Sequence, residues 1–263
     1  MEFVASGEAR IAARVDGPAH LPWIVLSNSL AADHTMWDDQ IAMLTARRRV
    51  LRYDTRGHGK SGAPPGPYDF DMLVGDVVAL MDHFGIERAD YLGLSLGGMT
   101  GLGLGLAHPD RVGRLVCADA RADAPAPFVA GWDQRIAAVE ANGTQAVVAG
   151  TLERWFTPAT HRDRPEIVAR TAAMIRGTSP VGYIGCGEAL KRLDYLRRLP
   201  DLAAETLYLV GAEDLAAPAE AMRAMAEATP KARFGVLPGC AHIANMEDAA
   251  GFNARVATFL DGA

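Results

Sequence analysis

The chain predicts an α/β fold: a mostly parallel sheet flanked by helices on both faces, with one all-helical insertion. Three observations predict it. Short apolar runs that stop at polar turns recur along the chain. Stretches of helical period lie between them. The alternation lapses from residue 121 to 195 and then resumes. Alternating strand and helix builds parallel sheets, because each crossover must carry the chain back to the end where the next strand starts.

In order, ARIAARVDG (9–17) alternates apolar and polar residues, as a half-exposed edge strand does. WIVLSNS (23–29) and RVLRYDT (49–55) are continuous apolar runs suited to buried parallel strands. MWDDQIAMLTAR between them has helical spacing. DMLVGDVVALMDHFGI (71–86) puts Leu73, Val77, Leu80, Met81 and Phe84 on one helical face, and Gly85 stops it. ADYLGLS is a strand, LGGMTGLGLGLAHP a helix and VGRLVCADA (112–120) a strand. ETLYLVG (205–211) and ARFGVLPG (232–239) are strands, followed by helices PAEAMRAMAEA and MEDAAGFNARVATFL (246–260). The expected division is a core of residues 1–120 and 196–263 with a helical cap at 121–195. The cap would lie over the carboxyl ends of the strands, where open α/β sheets bind ligands.

Composition bounds the function. At 263 residues, 49% hydrophobic and 22% charged, the chain has the profile of a globular α/β domain rather than a disordered one. A net charge of −6 argues against a nucleic-acid partner. No apolar run reaches the length of a membrane helix, and MEFVASGEARIAARV lacks the basic-then-apolar pattern of a signal peptide. Cys117, Cys186 and Cys240 are odd in number and far apart, so they read as free thiols of a cytoplasmic protein.

The chemistry starts at GLSLGG (93–98). Ser95 stands between a predicted strand and a predicted helix, in the G-x-S-x-G arrangement of a nucleophile elbow. Gly93 and Gly97 relieve crowding at a tight turn, and the Leu96 N–H at the helix N-terminus faces developing negative charge. A phosphate loop is the competing reading, but no Lys or second Gly-rich fingerprint accompanies it. A serine hydroxyl needs a base, and the base needs an orienting acid, in the chain order Ser, Asp or Glu, His. Only His161 and His242 lie well beyond the elbow. His161 sits in the insertion, whereas His242 follows a strand in GCAHIAN, so His242 is the candidate base. ETLYLVGAED ends in Glu213 and Asp214. Asp214 is the candidate acid, with Glu213 its rival and Asp119 a rarer placement. A second oxyanion donor is expected from SNSLAADH, where Ser29 reads as loop-shaping rather than as a second nucleophile.

YDTRGHGKS (53–61), GLSLGG, GAED and PGCAH occur in the order and spacing of the α/β-hydrolase superfamily, which the whole chain resembles. On that resemblance Asp54, Arg56 and His58 brace their loop, and Asn28–Ser29 stands where many relatives have His-Gly, which makes Leu30 the second oxyanion N–H beside Leu96. LSNSLAADHTMWDDQ, YDTRGHGKSGAPPGPY, WDQRIAAVEANG (132–143) and SPVGYIGCGEALKRLDY (179–195) look like the 3-oxoadipate enol-lactonases of aromatic catabolism. GAEDLAAP matches them more loosely. The resemblance implies a carboxylate-bearing enol-lactone as substrate and no metal or organic cofactor. It also implies a cation in the cap: Arg135 is the candidate, with Trp132 one turn earlier as an apolar wall. Arg121, Arg154 and Arg176 are the other arginines of the insertion to test, and Trp155 and Tyr183 are further candidate walls. The rival readings are a general carboxylesterase or other lactonase, and a non-catalytic binding protein on the same fold. A dehalogenase would need Asp where Ser95 stands.

Overall fold

The computed structural model describes residues 1–262. Its strands are β1 (Glu2–Ser6), β2 (Ala9–Asp16), β3 (Trp23–Ser27), β4 (Arg49–Tyr53), β5 (Ala89–Leu94), β6 (Val112–Ala118), β7 (Glu205–Gly211) and β8 (Ala232–Leu237). The helices that cover the sheet are α1 (Asp38–Thr45), α2 (Phe70–His83) and α3 (Leu96–Ala107). Between β6 and β7 come α4 (Ala126–Asn142), α5 (Val148–Trp155), α6 (Pro158–Asp163), α7 (Pro165–Gly177) and α8 (Pro180–Leu190). The chain closes with α9 (Ala219–Ala228), α10 (Ala244–Glu247) and α11 (Ala249–Leu260).

The eight strands form one sheet in the order β1-β2-β4-β3-β5-β6-β7-β8. The β1–β2 and β2–β4 pairs are antiparallel, and every later pair is parallel. The chain passes from β3 to one side, returns, and enters β5 on the other side. The β3/β5 boundary is therefore the switch point, where the loops diverge and leave a crevice. The apolar runs are buried as parallel strands require: Ile24, Val25, Leu26, Val50 and Leu51 are all inaccessible.

Two sequence expectations need correction. ARIAARVDG was expected at the sheet edge, but β2 is second from the edge and Ile11, Ala12 and Ala13 are buried. Its polar residues Arg10 and Arg14 do stay exposed. Alternation reports which face meets solvent, not whether the hydrogen-bonding edge is occupied, and β1 occupies it. The expected single helix over 246–260 breaks at Asp248. That residue leaves helical geometry (φ −129°, ψ 73°), and its carboxylate accepts the Gly251 N–H at 2.9 Å, so it caps α11. By contrast α2 follows its sequence pattern. Asp69 caps it, Leu73, Val77, Leu80 and Met81 are buried, and Gly85 at φ +64° ends it.

The helical insertion leaves and re-enters the sheet layer at one point. Asp123 and Asp194 form an isolated bridge, and the Tyr195 N–H donates to the Ala122 carbonyl at 2.7 Å. The YDTRGHGKS loop is held from within. Arg56 makes a bidentate pair with buried Asp76, both bonds at 2.7 Å. Asp54 accepts N–H bonds from His34 and Lys60. Burial would raise the Asp54 carboxyl, but the His34 and Lys60 donors outweigh it and hold the group below the usual carboxylate range. Burial pushes His58 down, against its bond to the Arg56 carbonyl, which keeps the ring neutral.

Candidate active site

The residues singled out in the sequence come from loops at the carboxyl ends of four parallel strands, two on each side of β6. Leu30 follows β3, Ser95 follows β5, Asp214 follows β7 and His242 follows β8. Ser95 has φ 55° and ψ −118°, a conformation that L residues rarely adopt. The strain is held by a backbone packed too closely for side chains. A Cβ on Gly93 would collide with the Gly97 carbonyl, and one on Gly97 with the Ser27 carbonyl. Gly97→Ala is therefore expected to abolish soluble expression or to open the turn, because backbone on both sides cannot yield. Native-like Tm and activity in that variant would show the turn is looser than its geometry.

The carboxylate of Asp214 accepts from His242 Nδ1 at 2.8 Å, with the Asp214 side chain fully buried. Its other oxygen accepts the N–H groups of Ala216 and Ala217 at 2.7 and 3.0 Å, which fixes the carboxylate plane. With Nδ1 donating, Nε2 is left as the basic nitrogen of the ring. Glu213 is exposed and does not reach the imidazole. His161 bonds the Leu152 carbonyl through Nε2 within the insertion. Asp119 is fully buried beside this group, at φ 46°, and its Oδ1 accepts the Gly211 N–H at 2.8 Å. Burial, reinforced by the negative Asp214, pushes Asp119 well above the usual carboxylate range. Sequence position ranked Asp119 below Asp214 but gave no sign that the two carboxyls share one buried group.

Ser95 and His242 open into one cavity of about 350 Å³, and Leu30 lines it beside them. Among the described residues the backbone N–H groups of Leu30 and Leu96 meet no protein acceptor. That of Leu96 is free because it opens α3. Helices α4, α5 and α8 supply the far wall through Trp132, Arg135, Arg154, Trp155 and Tyr183. The Trp155 ring lies 5.9 Å from that of His242, tilted by 39°.

The arginines sort by partner. Arg121 lines the cavity but pairs with Asp123 at 3.1 Å. Arg176 bonds Gln145 at 2.8 Å and is not part of the wall. Arg135 and Arg154 both line the cavity, and among the described residues neither pairs with a carboxylate. Arg135 lies 4.0 Å over the Trp132 ring, and its buried Nε has no acceptor. Burial pushes the Arg135 guanidinium below its ordinary value and Arg154 adds to that effect, while Tyr183 opposes it. Two neighbouring guanidiniums without a counter-charge make this wall attractive to an anion. Trp132 is also an anchor of the insertion, packed against Phe128 and Tyr183.

Asp33, His34 and Asp54 bring ligand-type atoms within 4.8 Å of one another. These atoms are already engaged. His34 bonds Asp54 through both its backbone N–H and Nδ1, and Asp33 caps the turn at Thr35. The cluster braces the β3 loop. Among the described residues no helix is long and apolar enough to cross a membrane.

The family described as the alpha/beta hydrolase fold matches residues 22–249. A 3-oxoadipate enol-lactonase of Acinetobacter baylyi is 35% identical over 240 residues, spanning 91% of this chain and 89% of that protein. A putative carbamate hydrolase, RutD, of Caulobacter segnis is 30% identical over 91% of each chain. The crystal structure of an enol-lactonase from Burkholderia xenovorans superposes with a TM-score of 0.95 at 38% identity. It covers 99% of this chain and 100% of that one.

Proposed function

The chain belongs to the α/β-hydrolase family, and we propose that it hydrolyses a small carboxylate-bearing enol-lactone, 3-oxoadipate enol-lactone, through Ser95, His242 and Asp214. The observation that carries this reading is the single cavity. It holds the strained serine and the acid-bound histidine, and its wall carries two guanidiniums without a counter-charge. The likeness to enol-lactonases over nearly the full length of the chain supports the substrate.

The sequence of steps follows from the residues. Ser95 Oγ attacks the lactone carbonyl carbon as His242 Nε2 takes its proton, and Asp214 steadies the imidazolium. The tetrahedral oxyanion lies between the Leu30 and Leu96 N–H groups. Its collapse breaks the ring C–O bond. The departing enol oxygen takes the proton from His242, and the enol tautomerises to the ketone while tethered as the acyl chain. Water then attacks the acyl carbon with His242 as base. Ser95 regains a proton and 3-oxoadipate is released. The helices between β6 and β7 act as the cap, and Arg135, stacked on Trp132, holds the free carboxylate.

The test compares two substrates and one variant. Arg135→Met keeps much of the side-chain length and removes the charge. A hydrogen bond to a charged group is worth about 1.5–3 kcal/mol, so kcat/KM on the enol-lactone is expected to fall by roughly 10- to 150-fold. Hydrolysis of a neutral p-nitrophenyl ester should change little, because it has no carboxylate to bind. Equal losses on both substrates would mean that Arg135 only supports the cap. A wild-type protein that turns over neutral esters and ignores the lactone would leave the general carboxylesterase reading. Turnover of a carbamate in place of either ester would favour the RutD-like one.

A further inference from the structure

Glu247 sits at the end of α10, five residues beyond His242, and its side chain is buried. A buried carboxylate is costly to desolvate unless donors replace its water. Here the donors are neutral and come from two different parts of the chain. Oε1 accepts the Thr157 backbone N–H and the Thr160 hydroxyl, both at 2.7 Å, and both residues belong to the helical insertion. Oε2 accepts the backbone N–H of Ala241, the residue immediately before His242. Arg164 reaches the same place, but it bonds the Met246 and Glu247 carbonyls and pairs with Glu166 at 3.6 Å, not with the Glu247 carboxylate.

A second contact lies on the same seam. On the other side of His242, the Ile243 N–H donates to the Trp155 carbonyl at 3.3 Å, and the Trp155 ring lies tilted beside the imidazole. The residues flanking the histidine are thus each tied to residues 155–160 of the insertion. The choice of a carboxylate fits this arrangement. Donors approach both oxygens, and an amide could satisfy one side but would turn its own N–H groups toward the other.

We propose that Glu247 is a positioning residue for His242, joining the loop that carries the base to the helical insertion so that the two move as one unit. This rests on the reading of His242 as the base for Ser95. A misplacement on the order of 1 Å at a reacting group can cost about 100-fold in rate, so loosening one anchor of the His242 loop has a measurable consequence.

The experiment reads the Ser95–His242 pair without using the arginine wall. The rate of covalent inactivation by a small, neutral serine-directed phosphonate is measured for wild type, Glu247→Gln and Thr160→Val, beside Tm and circular dichroism. Glu247→Gln is expected to slow inactivation by about 10- to 100-fold per folded molecule. Thr160→Val is nearly isosteric and removes one bond on the insertion side. It should slow inactivation severalfold, and the double variant should be no slower than Glu247→Gln, because the residues share one link. Both variants reacting at the wild-type rate, with Tm lowered or not, would overturn the proposal and leave Glu247 a packing residue. If Glu247→Gln does not fold, Thr160→Val alone decides by the same criterion. A wild-type protein that the phosphonate fails to label would remove the serine–histidine reading, and this proposal with it. A labelled wild type with unaffected variants would remove only the role of Glu247.

Discussion

Ser95→Ala is expected to lower kcat by about 10⁴- to 10⁶-fold and to leave the fold intact. In the proposed mechanism nucleophile, base and acid act as one unit, so the loss is large and what survives comes from the oxyanion donors and binding alone. The fold should tolerate the change because alanine has a similar φ preference to serine. The glycines and backbone around the elbow, not the hydroxyl, hold the turn at φ 55°. His242→Ala should cost nearly as much, and the double variant little more than either single one. The measurements are steady-state turnover, phosphonate labelling and circular dichroism. Turnover by Ser95→Ala within tenfold of wild type would reject the nucleophile assignment outright, and additive losses would mean that Ser95 and His242 do not work on the same step.

The sequence exposed the scaffold because its signals are local. The apolar runs at 23–29, 49–55 and 205–211 each mark a strand, and the strands bury those residues. The elbow was legible for the same reason: Gly93 and Gly97 are two and two residues from Ser95, and the backbone crowding that requires them lies inside that turn. The cavity wall built by the insertion was legible only in part. Arg135 and Trp132 share a helix, so their stacking follows from spacing. The neighbour Arg154 comes from another helix, and no spacing relates the two. Glu247 left no signal at all. Its donors stand 90, 87 and 6 residues away, and a glutamate in NMEDAA reads as an ordinary exposed helix residue. The edge strand was misplaced because alternation in β2 carries no information about β1.

The choice of acid is the second large effect. Asp214→Asn is expected to cost about 10⁴-fold in kcat. The mechanism is a tautomer change. The Asp214 carboxylate now accepts from His242 Nδ1, while its other oxygen is held by the Ala216 and Ala217 N–H groups. An asparagine keeps its carbonyl on those two donors and turns its NH₂ toward Nδ1. The ring must then accept at Nδ1 and carry its proton on Nε2, where it can no longer receive one from Ser95. Glu213→Gln changes an exposed residue and should leave kcat within about twofold, in keeping with the small effects of surface substitutions. Asp119→Asn is the informative control, since Asp119 lies in the same buried group. Burial and the nearby Asp214 push its carboxyl up, toward the uncharged form an amide imitates, and an amide reproduces the acceptor that faces the Gly211 N–H. It should keep kcat within about tenfold, because the other oxygen of Asp119 has no hydrogen-bond partner to lose. The three variants are compared as kcat on one substrate, at equal folded concentration. A severe Asp119→Asn beside a mild Asp214→Asn would move the acid to the end of β6. A severe Glu213→Gln would mean that the loop after β7 rearranges when substrate binds and brings the exposed carboxylate inward.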